Sequence, residues 1–77
     1  KMSNFKNYYE LLGIEPFSSS ETVKTAYRKL ARTYHPDLNP NAPDKEERFK
    51  VINDAYQQLA DSQKKERYDQ VLRAVLE

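Results

Sequence analysis

The chain has 77 residues, no cysteine, one glycine and a formal net charge of +1. A chain this short buries only about 60% of its unfolded surface, so it forms one domain with no room for a deep substrate cavity. Absent cysteine excludes disulfides and thiolate metal sites, and a lone glycine argues against sheet-rich or phosphate-cradling architecture.

The N-terminal run Lys1-Met2-Ser3-Asn4-Phe5-Lys6 lacks a signal-peptide core, and no apolar run approaches the ~20 residues of a membrane span. Lys1 ahead of Met2 reads as vector-derived, so the chain is expected to be an excerpt, with residues 1–6 an extension. A cytoplasmic location is expected, and the absence of cysteine fits a reducing compartment.

A short first helix is predicted over about Tyr8 to Leu12, with Asn7 as its N-cap and Gly13 as its stop. Ile14 to Ser19, with Pro16, is a connector. A second helix is predicted from about Ser20 to Tyr34. Ser19 can cap it, or Ser18 can form a capping box with Glu21. Val23, Ala26, Tyr27, Leu30, Ala31 and Tyr34 recur at helical spacing and form its apolar stripe. Lys24, Arg28, Lys29 and Arg32 lie on the other side, against a single acid, Glu21. The basic character is therefore a patch and not a global property. Tyr27 falls between stripe and patch, placed to pack its ring inward and still show its hydroxyl.

Residues 35–43 hold three prolines and two asparagines and read as a loop. They contain the only histidine, in Tyr34-His35-Pro36-Asp37. Pro36 pushes His35 out of helical geometry, so an imidazole and a carboxylate are presented together at a rigid helix exit. A third helix is predicted from about Ala42 or Asp44 to Ala60, capped by Asn41 or Asp44. Its stripe is Phe49, Ile52, Ala55, Tyr56 and Leu59. The second and third helices should pair as an antiparallel hairpin. Asp61 or Ser62 caps a fourth helix that runs to the chain end, with the stripe Tyr68, Val71, Leu72, Val75 and Leu76.

Three chemistries are open to these residues. Catalysis by His35 and Asp37 needs a nucleophile, and Ser18, Ser19 and Ser20 lie a helix length away, roughly 22 Å. One histidine without cysteine cannot close a tetrahedral metal site; Asp44, Glu46 and Glu47 instead complement a helix dipole. The basic patch is a solvated face, a surface for an acidic protein partner, or a contact for nucleic acid phosphates. The near-neutral total charge weighs against nucleic acid.

The runs Ala26-Tyr27-Arg28-Lys29-Leu30-Ala31 and Tyr34-His35-Pro36-Asp37 closely resemble the J-domain of the DnaJ family. Tyr8-Tyr9-Glu10-Leu11-Leu12-Gly13-Ile14 resembles its opening helix. Phe49, Ile52-Asn53, Ala55-Tyr56, Leu59 and Asp61 resemble its third helix, and Arg67-Tyr68-Asp69 its closing helix. The resemblance implies an all-α four-helix J-domain over residues 7–77. The helix hairpin would carry His-Pro-Asp in its loop and be braced by the short first helix and the fourth. It implies a co-chaperone, not an enzyme, that binds a DnaK-type chaperone of the seventy-kilodalton heat-shock class and stimulates its ATP hydrolysis for client capture and folding. ATP would be bound by the partner, and the domain itself would need no cofactor. Clients would be reached through segments outside this chain. The implied contact residues are His35, Pro36, Asp37, Lys24, Tyr27, Arg28, Lys29 and Arg32, with Asn39 and Phe49 supporting the loop. Three positions depart from the pattern. Leu38 and Thr25 stand where a basic residue is frequent, and no glycine follows Tyr68-Asp69, which extends the fourth helix.

Overall fold

A computed structural model describes residues 6–77. Of the expected N-terminal extension only Lys6 falls among them; Lys1 to Phe5 lie outside the described residues. Four helices follow one another: α1 (Tyr8–Leu11), α2 (Ser20–Tyr34), α3 (Pro43–Ala60) and α4 (Ser62–Leu76). Among the described residues there is no strand.

The helix ends follow from local chemistry. The Asn7 side chain accepts from the Glu10 backbone N–H and opens α1. Helix α1 closes at Leu12, and Gly13 takes φ +71°, a left-handed stop that glycine adopts without a Cβ penalty. Ser19 caps α2 by accepting from the Thr22 N–H at 3.2 Å. The alternative capping box does not form, because the Ser18 hydroxyl donates to the Glu15 carbonyl instead.

The start of α3 corrects the sequence reading. Neither Asn41 nor Asp44 caps it; Ala42 occupies the N-cap position with no side-chain bond. Pro43 is the first helical residue, where its fixed φ suits the helix and its missing N–H removes one donor that needs capping. Asn41 turns the chain into the helix at φ 58°. Asp61 caps α4 by accepting from the Gln63 and Lys64 N–H groups at 2.8 and 3.2 Å. Those two bonds hold its carboxyl below the usual aspartate range.

Helix α3 packs against each of the other three. Its Ile52, Ala55 and Leu59 form one buried face, met by Tyr9 and Leu12, by Val23 of α2 and by Leu72 of α4. Burying each large aliphatic side chain contributes about 1.5–3 kcal/mol. Removing one, as in Ile52→Ala, is expected to cost about 2–5 kcal/mol, a large share of a small domain's stability.

The α2–α3 pairing is antiparallel, as contacts at mid-helix and at the corner show. Tyr27 meets Asn53 and Tyr56, whereas His35 meets Phe49. Tyr27 stacks on Tyr56 with ring centroids 4.0 Å apart and 11° between planes.

Helix α4 is tied to α1 by polar bonds. The Tyr9 hydroxyl donates to Asp69 Oδ1, Asp69 Oδ2 pairs with Lys65 at 3.1 Å, and the Tyr8 N–H donates to the Tyr68 hydroxyl at 2.9 Å. Burial pushes the Tyr9 hydroxyl well above the ordinary tyrosine range, and its bond to the Asp69 carboxylate adds to the rise. The apolar stripe of α4 is only partly used. Leu72 is buried and Val75 half-buried, but Val71 and Leu76 are 51% and 56% exposed.

Candidate functional site at the helix corner

Helix α2 ends at Tyr34, and His35 has extended φ and ψ of −60° and 135°. This is the conformation that a following proline imposes. The chain then folds back on itself. The Asp37 N–H donates to His35 Nδ1 at 3.0 Å, and the Leu38 N–H donates to the His35 carbonyl at 3.0 Å. The Asn39 N–H donates to the Pro36 carbonyl at 3.2 Å. The Asn39 side-chain amide donates to the carbonyls of Thr33 and His35 at 2.8 and 3.0 Å. Those carbonyls belong to the last turn of α2 and its cap, groups a helix end leaves without intrahelical partners. Phe49 of α3 meets the His35 ring edge-on, with centroids 5.3 Å apart.

These bonds define what His35 and Asp37 present. Because Nδ1 accepts from a backbone N–H, the neutral imidazole carries its proton on Nε2. The Asp37 carboxylate lies 3.9 Å from Nδ1, too far for a hydrogen bond, and its side chain is 89% exposed. A base with an orienting carboxylate requires the carboxylate to accept from Nδ1–H, so this pair is not built as one. The corner offers instead an outward carboxylate on a backbone held by hydrogen bonds on both sides.

The basic residues Lys24, Arg28, Lys29 and Arg32 are all exposed, and among the described residues none is paired with a carboxylate. Lys24, Arg28 and Arg32 stand four residues apart and line one side of α2 over about 12 Å, leading to the corner. Tyr27 differs from the sequence expectation. Its ring is half-buried as foreseen, but its hydroxyl donates to Asn53 Oδ1 at 2.7 Å and is engaged inside the domain.

The structure adds two cations that the sequence reading did not include. Lys45 and Arg48 of α3 lie over the Tyr34 ring, 6.0 and 5.7 Å from its centroid. They place positive charge beside the residue that precedes His35. Only the hairpin geometry brings them there.

Among the described residues, no group of three or more His, Asp or Glu side chains is arranged to hold a metal ion. No helix is long and apolar enough to cross a membrane among the same residues.

Comparison with known proteins agrees with this arrangement. The family model described as the DnaJ domain matches residues 7–69. Chaperone protein DnaJ of Nitratiruptor sp. is 55% identical over 71 residues, 92% of this chain and 19% of that protein. Chaperone protein DnaJ of Clostridium kluyveri is 57% identical over 65 residues, 84% of this chain and 17% of that protein. The chain thus spans less than a fifth of the length of these curated relatives. The crystal structure of a J-Trx1 fragment of ERdj5 superposes with a TM-score of 0.76 at 42% identity, covering 84% of this chain and 32% of that one. The sequence motifs, the helix corner and these matches agree, and the chain belongs to the DnaJ-domain family.

Proposed function

We propose that this domain is the co-chaperone module of a DnaJ-type protein: it binds a DnaK-type chaperone and stimulates that partner's ATP hydrolysis. The observation that carries the reading is the rigid corner, with an exposed Asp37 carboxylate beside His35, at the head of an unpaired basic stripe on α2. ATP is bound by the partner, clients are captured by segments outside this chain, and the setting is the cytoplasm. The domain performs no bond chemistry itself.

Encounter comes first. Lys24, Arg28, Lys29 and Arg32 attract an acidic partner surface, and exposed charges of this kind act over a screening length of about 8–10 Å at physiological salt. Tyr27 shapes the face from which they project. Coupling comes second. Asp37 accepts charge-assisted hydrogen bonds from a partner cation, and His35 Nε2–H is a further donor. Pro36, Asn39 and Phe49 hold the loop, so little ordering entropy is lost on binding. For the partner to hydrolyse faster, the corner must bind its hydrolysis-competent state more tightly than the alternatives.

The test is single-turnover ATP hydrolysis by a DnaK-type chaperone, with and without the domain, wild type beside His35→Gln. Acceleration by wild type alone is expected, with both proteins equally helical by circular dichroism. Equal acceleration by the two removes the corner from the mechanism. No acceleration by either, across several such chaperones, leaves a J-like binding module without stimulation.

A further inference from the structure

Leu38 is the most exposed large hydrophobic residue among those described, at 64%. Single apolar residues on a surface are ordinary. Leu38 is distinguished by its setting. It directly follows Asp37, and its own N–H is bonded to the His35 carbonyl. Asn39, the next residue, is held by three hydrogen bonds to Thr33, His35 and Pro36. A leucine is therefore held out from a hydrogen-bonded turn, one residue from the carboxylate that the proposed function uses. Val71 and Leu76, the next most exposed, sit on α4, away from the corner.

We propose that Leu38 is an apolar anchor that seats in a hydrophobic pocket of the ATPase partner, beside the cation that receives Asp37. This rests on the co-chaperone reading and adds a specificity element to it. Adjacent Cα atoms lie 3.8 Å apart, so a partner surface that takes up Asp37 passes within reach of the exposed Leu38 side chain. Water left against an exposed leucine in that footprint is unfavourable, and an apolar pocket removes it. The fixed backbone leaves only side-chain rotamers to be ordered. The anchor contributes a part of the affinity that salt does not screen, unlike the stripe on α2.

The experiment measures affinity for a DnaK-type chaperone held with ATP, by calorimetry at two salt concentrations, and single-turnover hydrolysis alongside. Leu38→Ser is expected to weaken binding about tenfold, as loss of a buried leucine contact implies, with an unchanged salt slope. Its melting curve should superpose on wild type, since the side chain is exposed. Leu38→Met is expected to restore binding to within about twofold, because volume-conserving apolar exchanges are tolerated. Leu38→Lys should bind no better than Leu38→Ser; binding equal to wild type would show that the position asks for length or charge. If wild type accelerates hydrolysis and Leu38→Ser binds as tightly as wild type, the anchor is overturned and the co-chaperone reading stands. If wild type neither binds nor accelerates, the co-chaperone reading fails and the anchor falls with it.

Discussion

The side-chain amide of Asn39 donates to the backbone carbonyl of His35 at 3.0 Å, tying the residue that leaves the corner to the residue that opens it. The same amide reaches the Thr33 carbonyl at 2.8 Å, so one side chain fastens the loop to the last turn of α2. The path between His35 and Asn39 is thereby held by five hydrogen bonds.

Asn39→Ala removes both amide bonds. Each is worth about 1 kcal/mol, so the melting temperature should fall by roughly 8–16 °C. Stimulation of a partner's ATPase should fall further than the loss of folded protein explains, because the corner then samples other paths. Thermal melts and hydrolysis assays on the same samples check this. Full stimulation by the folded fraction would mean that the clamp serves stability alone.

Arg28→Glu should leave the melting temperature within experimental scatter, because Arg28 is exposed and carries no ion pair among the described residues. Docking to the chaperone should weaken about tenfold at low salt, and the two proteins should converge near 1 M salt, where screening is nearly complete. Titration at four or more salt concentrations checks both parts. An unchanged slope means α2 is not the docking face.

Tyr27→Phe separates the two duties assigned to this residue. It deletes the bond to Asn53 and keeps the stack on Tyr56. A loss of about 1 kcal/mol in denaturant unfolding is expected, with chaperone binding unchanged. Weaker binding without a loss of stability would place the hydroxyl at the partner instead.

Alkali should loosen the α1–α4 contact. The Tyr9 hydroxyl is raised, first by burial and then by Asp69, and burial raises Tyr68 as well. A folded state that holds a proton more tightly than the unfolded chain is fully favoured below the unfolded value, about pH 10, and loses that advantage as pH rises through the folded values. Stability should therefore be flat toward pH 9 and fall above pH 10. Tyr9→Phe should be less stable at neutral pH and show a shallower alkaline fall, as measured by denaturant midpoints across pH 8–12. An equally steep fall in that variant would assign the loss to other groups.

Much of this arrangement is legible in the residues before any coordinates. Helix α2 is read to its ends because Ser19 is a strong cap and Pro36 forbids continuation past Tyr34. The hairpin follows from two apolar stripes and a short loop. The opening of α3 is misread because two polar residues compete as caps in the sequence, whereas Pro43 starts the helix without either. Periodicity gives the phase of α4 but not how much of it is covered, so Val71 and Leu76 look like core and are exposed. Lys45 and Arg48 enter the site only through the hairpin fold that brings them to Tyr34, a relation that local pattern does not carry.

The bonds that join α1 to α4 also set an order of assembly. Tyr9 and Asp69 are separated by 60 positions and Tyr8 and Tyr68 by as many, whereas Tyr27 and Asn53 are separated by 26. Nearer partners meet sooner, so the hairpin that bears the corner should nucleate and the α1–α4 contact should latch last. Interactions made after the transition state govern the unfolding rate and leave the folding rate alone. Tyr9→Phe should accordingly steepen unfolding in stopped-flow kinetics while refolding keeps its wild-type speed. The lifetime of the folded domain is then decided at the latch, far along the chain from the corner whose shape it preserves.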